Sequence, residues 1–280
     1  MKLNLSGHNL TSLDPIPEGT IELYCTNNNL TFLPPLPSTL KSLVCWGNDL
    51  TSLPPLPASL EFLHCNGNKL TELPKLKHTS LTSLICANNK LTLLPQLPLS
   101  LKKLHCDFNK LTHLPKLNHL LLTDLYCGNN LLTSLGQLPN TLTTLHCYQN
   151  DLKSLGKLPN LIELWCMKNK NLKHLENLPA TLRELRCEFD KLRYYDKLPK
   201  SVRVLRCYRN LLEYNDLAEY KIYSIMFRFK VVKMQKWWRK VSLQRKILYK
   251  AEINRAIEFK PYVGIEWFNF IDNISTLINN

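Results

Sequence analysis

Ten cysteines recur at positions 25, 45, 65, 86, 106, 127, 147, 166, 187 and 207. Thiols in this number could form disulfides or, as thiolates, hold zinc. Histidines at 64, 105 and 146 each directly precede a cysteine and add a second set of metal-ligating groups. Spacing decides among these chemistries. Successive cysteines lie 19 to 21 residues apart, which is the mark of a repeat. Each unit reads Leu-x-x-Leu-x-Cys-x-x-Asn-x-Leu, and in most copies Thr-x-Leu-Pro-x-Leu-Pro follows. One copy is Leu40, Leu43, Cys45, Asn48, Leu50, Thr51, Leu53, Pro54, Leu56 and Pro57. A copy without cysteine precedes them, with Leu3, Leu5, His8, Leu10 and Leu13. In all, eleven units fill residues 1–212.

Elements of about twenty residues must position these side chains. The Leu43-x-Cys45 alternation has the period of a strand. The paired prolines favour extended, polyproline-like backbone, and no helix of about ten residues fits beside a strand and two turns. A unit this small buries little alone, so the units must stack, strand beside strand and parallel, with leucine and cysteine pointing into one core. Equivalent cysteines then stand about 4.8 Å apart with parallel side chains, beyond the ~3.8 Å that disulfide Cβ atoms prefer. Ligands in a line cannot surround a tetrahedral zinc, and the three histidines fall on alternate strands, roughly 10 Å apart. The expectation is ten buried thiols in a reducing, cytoplasmic setting, with no metal and no cofactor.

Asparagine recurs at 28, 48, 68, 89, 109, 130, 150, 169 and 210, with His8 and Asp190 as variants. One amide per turn can donate to and accept from buried backbone where each strand ends, which is scaffolding and not catalysis.

This pattern resembles leucine-rich repeats. The twenty-residue unit and the Leu-Pro-x-Leu-Pro tail are similar to the short repeats of bacterial secreted effectors, some fused to ubiquitin ligase domains. The cysteine-bearing copies resemble leucine-rich-repeat proteins of large DNA viruses of protists. The resemblance covers about three quarters of the chain. It implies a leucine-rich-repeat solenoid: a concave sheet of short parallel strands, an extended convex side, an asparagine ladder, and protein binding as the usual function.

In that arrangement the residues flanking the buried leucine and cysteine face outward from the strands. The column before each cysteine runs Asn4, Tyr24, Val44, His64, Ile85, His105, Tyr126, His146, Trp165, Arg186 and Arg206. The column after it adds Trp46, Asp107, Tyr148, Met167 and Tyr208. A solvated strand face needs no such composition, whereas aromatic and arginine side chains are what protein interfaces favour. Tyr126, His146 and Trp165 are the expected central anchors, and Arg186 and Arg206 the charged contacts.

Charge is uneven. Residues 1–152 carry ten lysines against nine carboxylates, while residues 153–280 carry 26 basic and 13 acidic residues. Every arginine lies at 183 or later. The face should grade from aromatic to basic, favouring an acidic segment of a partner at its C-terminal end.

The repeat ends near Leu212. Residues 213–280 are expected to form a basic, α-helical C-terminal cap, since Phe227, Val231, Met234, Trp238, Val241 and Leu248 follow helical spacing. Nine basic residues and no acidic one fall within 228–250: Arg228, Lys230, Lys233, Lys236, Arg239, Lys240, Arg245, Lys246 and Lys250. Met234-Gln235-x-x-x-Arg239-Lys240 resembles the start of a calmodulin-binding IQ motif. Trp237 and Trp238 among lysines also suit nucleic acid or an anionic membrane surface. No uncharged apolar run approaches the ~18 residues of a membrane span, and the first residues lack a signal-peptide core. No phosphate loop, His-Glu-x-x-His or Gly-x-Ser-x-Gly occurs. No cysteine carries Asp two residues later, as the ligase relatives' motif requires. The expectation is a non-enzymatic protein-binding module, with the basic tail as the alternative binding element.

Overall fold

The computed structural model describes residues 1–188, 192, 194, 195, 198–207 and 210. Within them the strands are β1 (Lys2–Asn4), β2 (Glu22–Tyr24), β3 (Ser42–Val44), β4 (Phe62–His64), β5 (Ser83–Ile85), β6 (Lys103–His105), β7 (Asp124–Tyr126), β8 (Thr144–His146), β9 (Glu163–Trp165), β10 (His174–Leu175), β11 (Glu184–Arg186), β12 (Tyr194–Tyr195) and β13 (Val204–Arg206). Eleven of these form one parallel sheet in the order β1 to β9, then β11, then β13. Successive turns pair in register, so Leu43 stands between Leu23 and Leu63. A second sheet, β10 with β12, lies on the return side of the two turns concerned. There the prolines alone predict only extended backbone.

From β2 to β9, and in β11 and β13, each strand holds a buried leucine at its centre with its two neighbours on the other face, as the period-two pattern requires. All ten cysteines are buried thiols in the same core. The core is one continuous leucine and cysteine stack from Ile16 to Cys207, with Leu3, Leu5, Leu10 and Leu13 packed on its first turn. Full burial of each leucine contributes about 1.5–3 kcal/mol. Proline closes the turns: the amide of Leu40 donates to the Pro37 carbonyl at 3.1 Å, and Leu60 to Pro57 likewise.

Two polar ladders join one turn to the next. The Asn48 amide donates to the carbonyls of Cys25 (2.9 Å) and Cys45 (3.1 Å), and its oxygen accepts from the Leu30 amide. Asn68, Asn109, Asn130 and Asn150 repeat the pattern. The second ladder, absent from the sequence reading, is made of hydroxyls. Ser59, Ser100, Thr141 and Ser201 each donate to a leucine carbonyl of the preceding turn, at 2.6–2.7 Å. A small polar side chain before the repeat's first leucine was its sequence signal.

The second residue after each cysteine from Cys25 to Cys166 lies in the left-handed region, as at Gly47 (φ 68°), Asn88 (51°) and Phe108 (53°). Glycine and asparagine tolerate that conformation, whereas an aromatic residue there is strained by about 1–2 kcal/mol. The predicted basic helical cap at 213–280 lies outside the described residues.

Candidate binding face

In-register pairing stacks the side chains of the column before the cysteines. His105, Tyr126, His146, Trp165 and Arg186 occupy consecutive strands of the sheet. Adjacent strands bring their rings together: His105 to Tyr126 at 4.0 Å between centroids, Tyr126 to His146 at 4.3 Å and His146 to Trp165 at 3.9 Å. The Arg186 guanidinium caps the row, with Cζ 4.0 Å from the Trp165 ring centroid. His105 and His146 are therefore separated by the Tyr126 ring. Among the described residues, no group of three or more His, Cys, Asp or Glu is placed to hold a metal.

A carboxylate column that the sequence reading passed over lies beside this row. Glu163, three residues before Cys166, accepts from His146 Nε2 at 2.9 Å. Glu184, three before Cys187, accepts from the Trp165 indole N–H at 3.1 Å and from Arg186 Nε at 2.6 Å. Arg186, expected as a charged contact for a partner, is paired with Glu184 within the face. Arg206, on the next strand, is exposed. Trp165 has His146 on one face and Arg186 on its ring, so it presents chiefly an edge outward.

Burial lowers the pKa of His64, His105 and His146. Against it, the hydrogen bond and charge of Glu163 favour the His146 imidazolium. An ionised Glu163 can only accept, so in the neutral ring Nε2 carries the proton and Nδ1 is left as an acceptor.

The other predicted residues form smaller groups. Tyr24 donates its hydroxyl to Glu22 at 3.0 Å and lies under Lys2. Trp46 and Phe62 approach His64 at 6.2 and 6.3 Å between centroids. Tyr208 and the basic residues 228–250 lie outside the described residues.

Tyr148 turns back across Gly128. A Cβ on Gly128 would meet the tyrosine ring at 2.4 Å, so only glycine admits this pose. Tyr148 feels the charge of Asp107, whose Oδ1 accepts from the Gly128 amide at 2.9 Å. Phe108 meets Tyr148 edge-on at 6.3 Å and is half exposed. A depression of about 460 Å³ opens here, lined by Asn66, Asp107, Phe108, Tyr126, His146, Tyr148 and Trp165 among others. Burial pushes the Asp107 carboxyl up to about 6, and burial followed by the Asp107 charge pushes the Tyr148 phenol up to about 12. Phe108 and Asn66 escaped the sequence reading, since one occupies a turn position and the other has an amide common on any polar face.

A parallel-strand solenoid with a twenty-residue Leu-rich unit and an asparagine ladder defines a class, and this chain has the fold of a leucine-rich-repeat solenoid. It is similar to YopM from Yersinia enterocolitica WA-314, with a TM-score of 0.71 and 38% identity over 74% of this chain and 46% of that one. It is also similar to YopM from Yersinia pestis, described as a leucine-rich effector protein, with a TM-score of 0.54 and 29% identity over 73% of this chain and 75% of that one. The chain thus spans less than half the length of the first of these. No family model matches the sequence, and no curated protein does. Among the described residues, no helix is long and apolar enough to cross a membrane.

Proposed function

We propose that this chain is a non-enzymatic protein-binding module that captures its partner on the strand face, the concave side in this family. One observation carries the reading: five consecutive strands stack His105, Tyr126, His146, Trp165 and Arg186 into a single row. Scaffolding needs none of these side chains, and pre-stacked aromatic groups lose little entropy when a partner packs on them. The described effector role of the Yersinia pestis relative supports an effector-like protein acting in the cytoplasm of a host cell. Arg206, at the C-terminal end of the face, suits an acidic segment of the partner.

The test replaces Trp165 and Arg186 with alanine in the full chain, with circular dichroism to verify folding. Affinity for a captured partner should fall at least tenfold, and unchanged affinity refutes the reading. A second reading rests on the nine basic residues of 228–250, which form a separate binding element for calmodulin, nucleic acid or anionic lipid. It requires binding that falls steeply with salt, or calcium-dependent capture of calmodulin, and that is lost when those residues are neutralised while the strand face stays intact.

A further inference from the structure

We propose that the depression beside Asp107 receives an arginine guanidinium of the partner protein, an inference that rests on the strand-face reading above. Asp107 is 8% exposed, and its hydrogen-bond donor, the Gly128 amide, is neutral. Among the described residues, none of the ion pairs includes it. A buried carboxylate without a counter-cation is costly, and a cation brought by a partner relieves that cost. Asn66 Oδ1, in the same depression, is buried and accepts from nothing. Most of the other walls are aromatic, with Phe108, Tyr126, Tyr148 and Trp165 joined by His146, Ala87 and Asn88. Buried acceptors among π faces suit a planar cation with several donors.

The chain already shows this mode of recognition one step along the face. Arg186 lies on Trp165 at 4.0 Å while its Nε donates to Glu184. Asp107 with Tyr148 repeats the carboxylate and ring, without the arginine. Phe108 is held at a strained left-handed position, where glycine or asparagine serves the fold better, and it faces Tyr148 across the depression. The pocket thus keeps an aromatic wall against the preference of its own backbone.

The experiment titrates the full chain with acetyl-Gly-Arg-Gly-amide, and in parallel with its lysine and citrulline counterparts, following tyrosine and tryptophan side-chain signals by NMR. The arginine peptide should shift the Tyr148 and Trp165 signals at concentrations at least tenfold below those needed with citrulline, and below those needed with lysine. Asp107→Asn keeps the acceptor for the Gly128 amide and should erase the preference over citrulline. Asn66→Ala, a milder change, should weaken arginine binding severalfold. Equal response to citrulline or lysine, or a preference that survives Asp107→Asn in folded protein, overturns the site. Partner capture lost in Trp165→Ala but undiminished in Asp107→Asn overturns the site and leaves the strand-face reading standing. Arginine binding with capture indifferent to Trp165→Ala supports the site and removes that reading.

Discussion

The rings of His146 and Trp165 lie face to face, 3.9 Å between centroids and 6° from parallel, on neighbouring strands. They are 19 residues apart in the chain, and only in-register pairing of β8 with β9 brings them together. Because the stack buries the imidazole, it also sets its acidity.

Trp165→Ala removes the wall that desolvates His146 and keeps the Glu163 acceptor, which favours the imidazolium. The His146 titration, below the ordinary 6.5 in the native protein, should move upward in the variant. Proton NMR of the imidazole Cε1–H reads this, and an unmoved titration would show that the stack does not control the group.

Phe108→Asn should stabilise the fold while weakening binding. Its φ of 53° suits asparagine better than phenylalanine. The relief is about 1 kcal/mol, read as a higher urea midpoint. Unchanged or tighter affinity for the partner would place Phe108 outside the binding surface.

Asp107 gives stability a pH dependence of definite sign. Its carboxyl is raised from 3.8 to about 6 by burial, so between those values the folded chain holds a proton the unfolded chain has released. Its contribution is favourable below the unfolded value and is lost as pH rises through about 6. A shift of roughly two units amounts to about 3 kcal/mol. The Gly128 amide donates to it, and its charge is felt by Tyr126, Tyr148 and the thiols of Cys86, Cys106 and Cys127. The histidines with lowered pKa tilt the curve the other way, losing stability as pH falls. Comparison with Asp107→Asn, by urea unfolding from pH 4 to 7, cancels their part. Parallel curves for the two proteins would contradict the assignment.

The cysteines should resist thiol reagents in the folded protein. Burial pushes Cys25 and Cys65 up to about 12 and raises Cys45, Cys86, Cys106 and Cys127 well above their ordinary range. The reactive thiolate is then scarce and shielded. Labelling at pH 8 should be slow natively and complete in denaturant. Rapid native labelling of any of these six would show that the core opens locally.

Asn109→Ala should cost roughly 3 kcal/mol. Its amide donates to the carbonyls of Cys86, Cys106 and Asp107, each at 3.1 Å, and its oxygen accepts from the Leu91 amide at 2.9 Å. Removing it leaves buried backbone groups unpaired on two turns. A midpoint within error of the parent protein would mean that water replaces the amide.

The spacing of Leu43, Cys45 and Asn48, repeated every twenty residues, by itself determined the parallel strands, the buried thiols, the asparagine ladder and the column of outward residues. A stacked repeat leaves each such position one direction to point, so periodicity translates directly into geometry. What lies between columns was decided only by tertiary structure. Glu184 reaches sideways to Trp165 and Arg186, and Tyr148 folds back across Gly128 to Asp107. Those contacts depend on rotamers and on the small residue in the neighbouring turn, which no single repeat encodes. For the same reason the pairing of Arg186 was not read, although its carboxylate partner stands two residues away in the same strand. Alternation puts both on one face, but only the stack on Trp165 fixes the guanidinium where Glu184 can hold it.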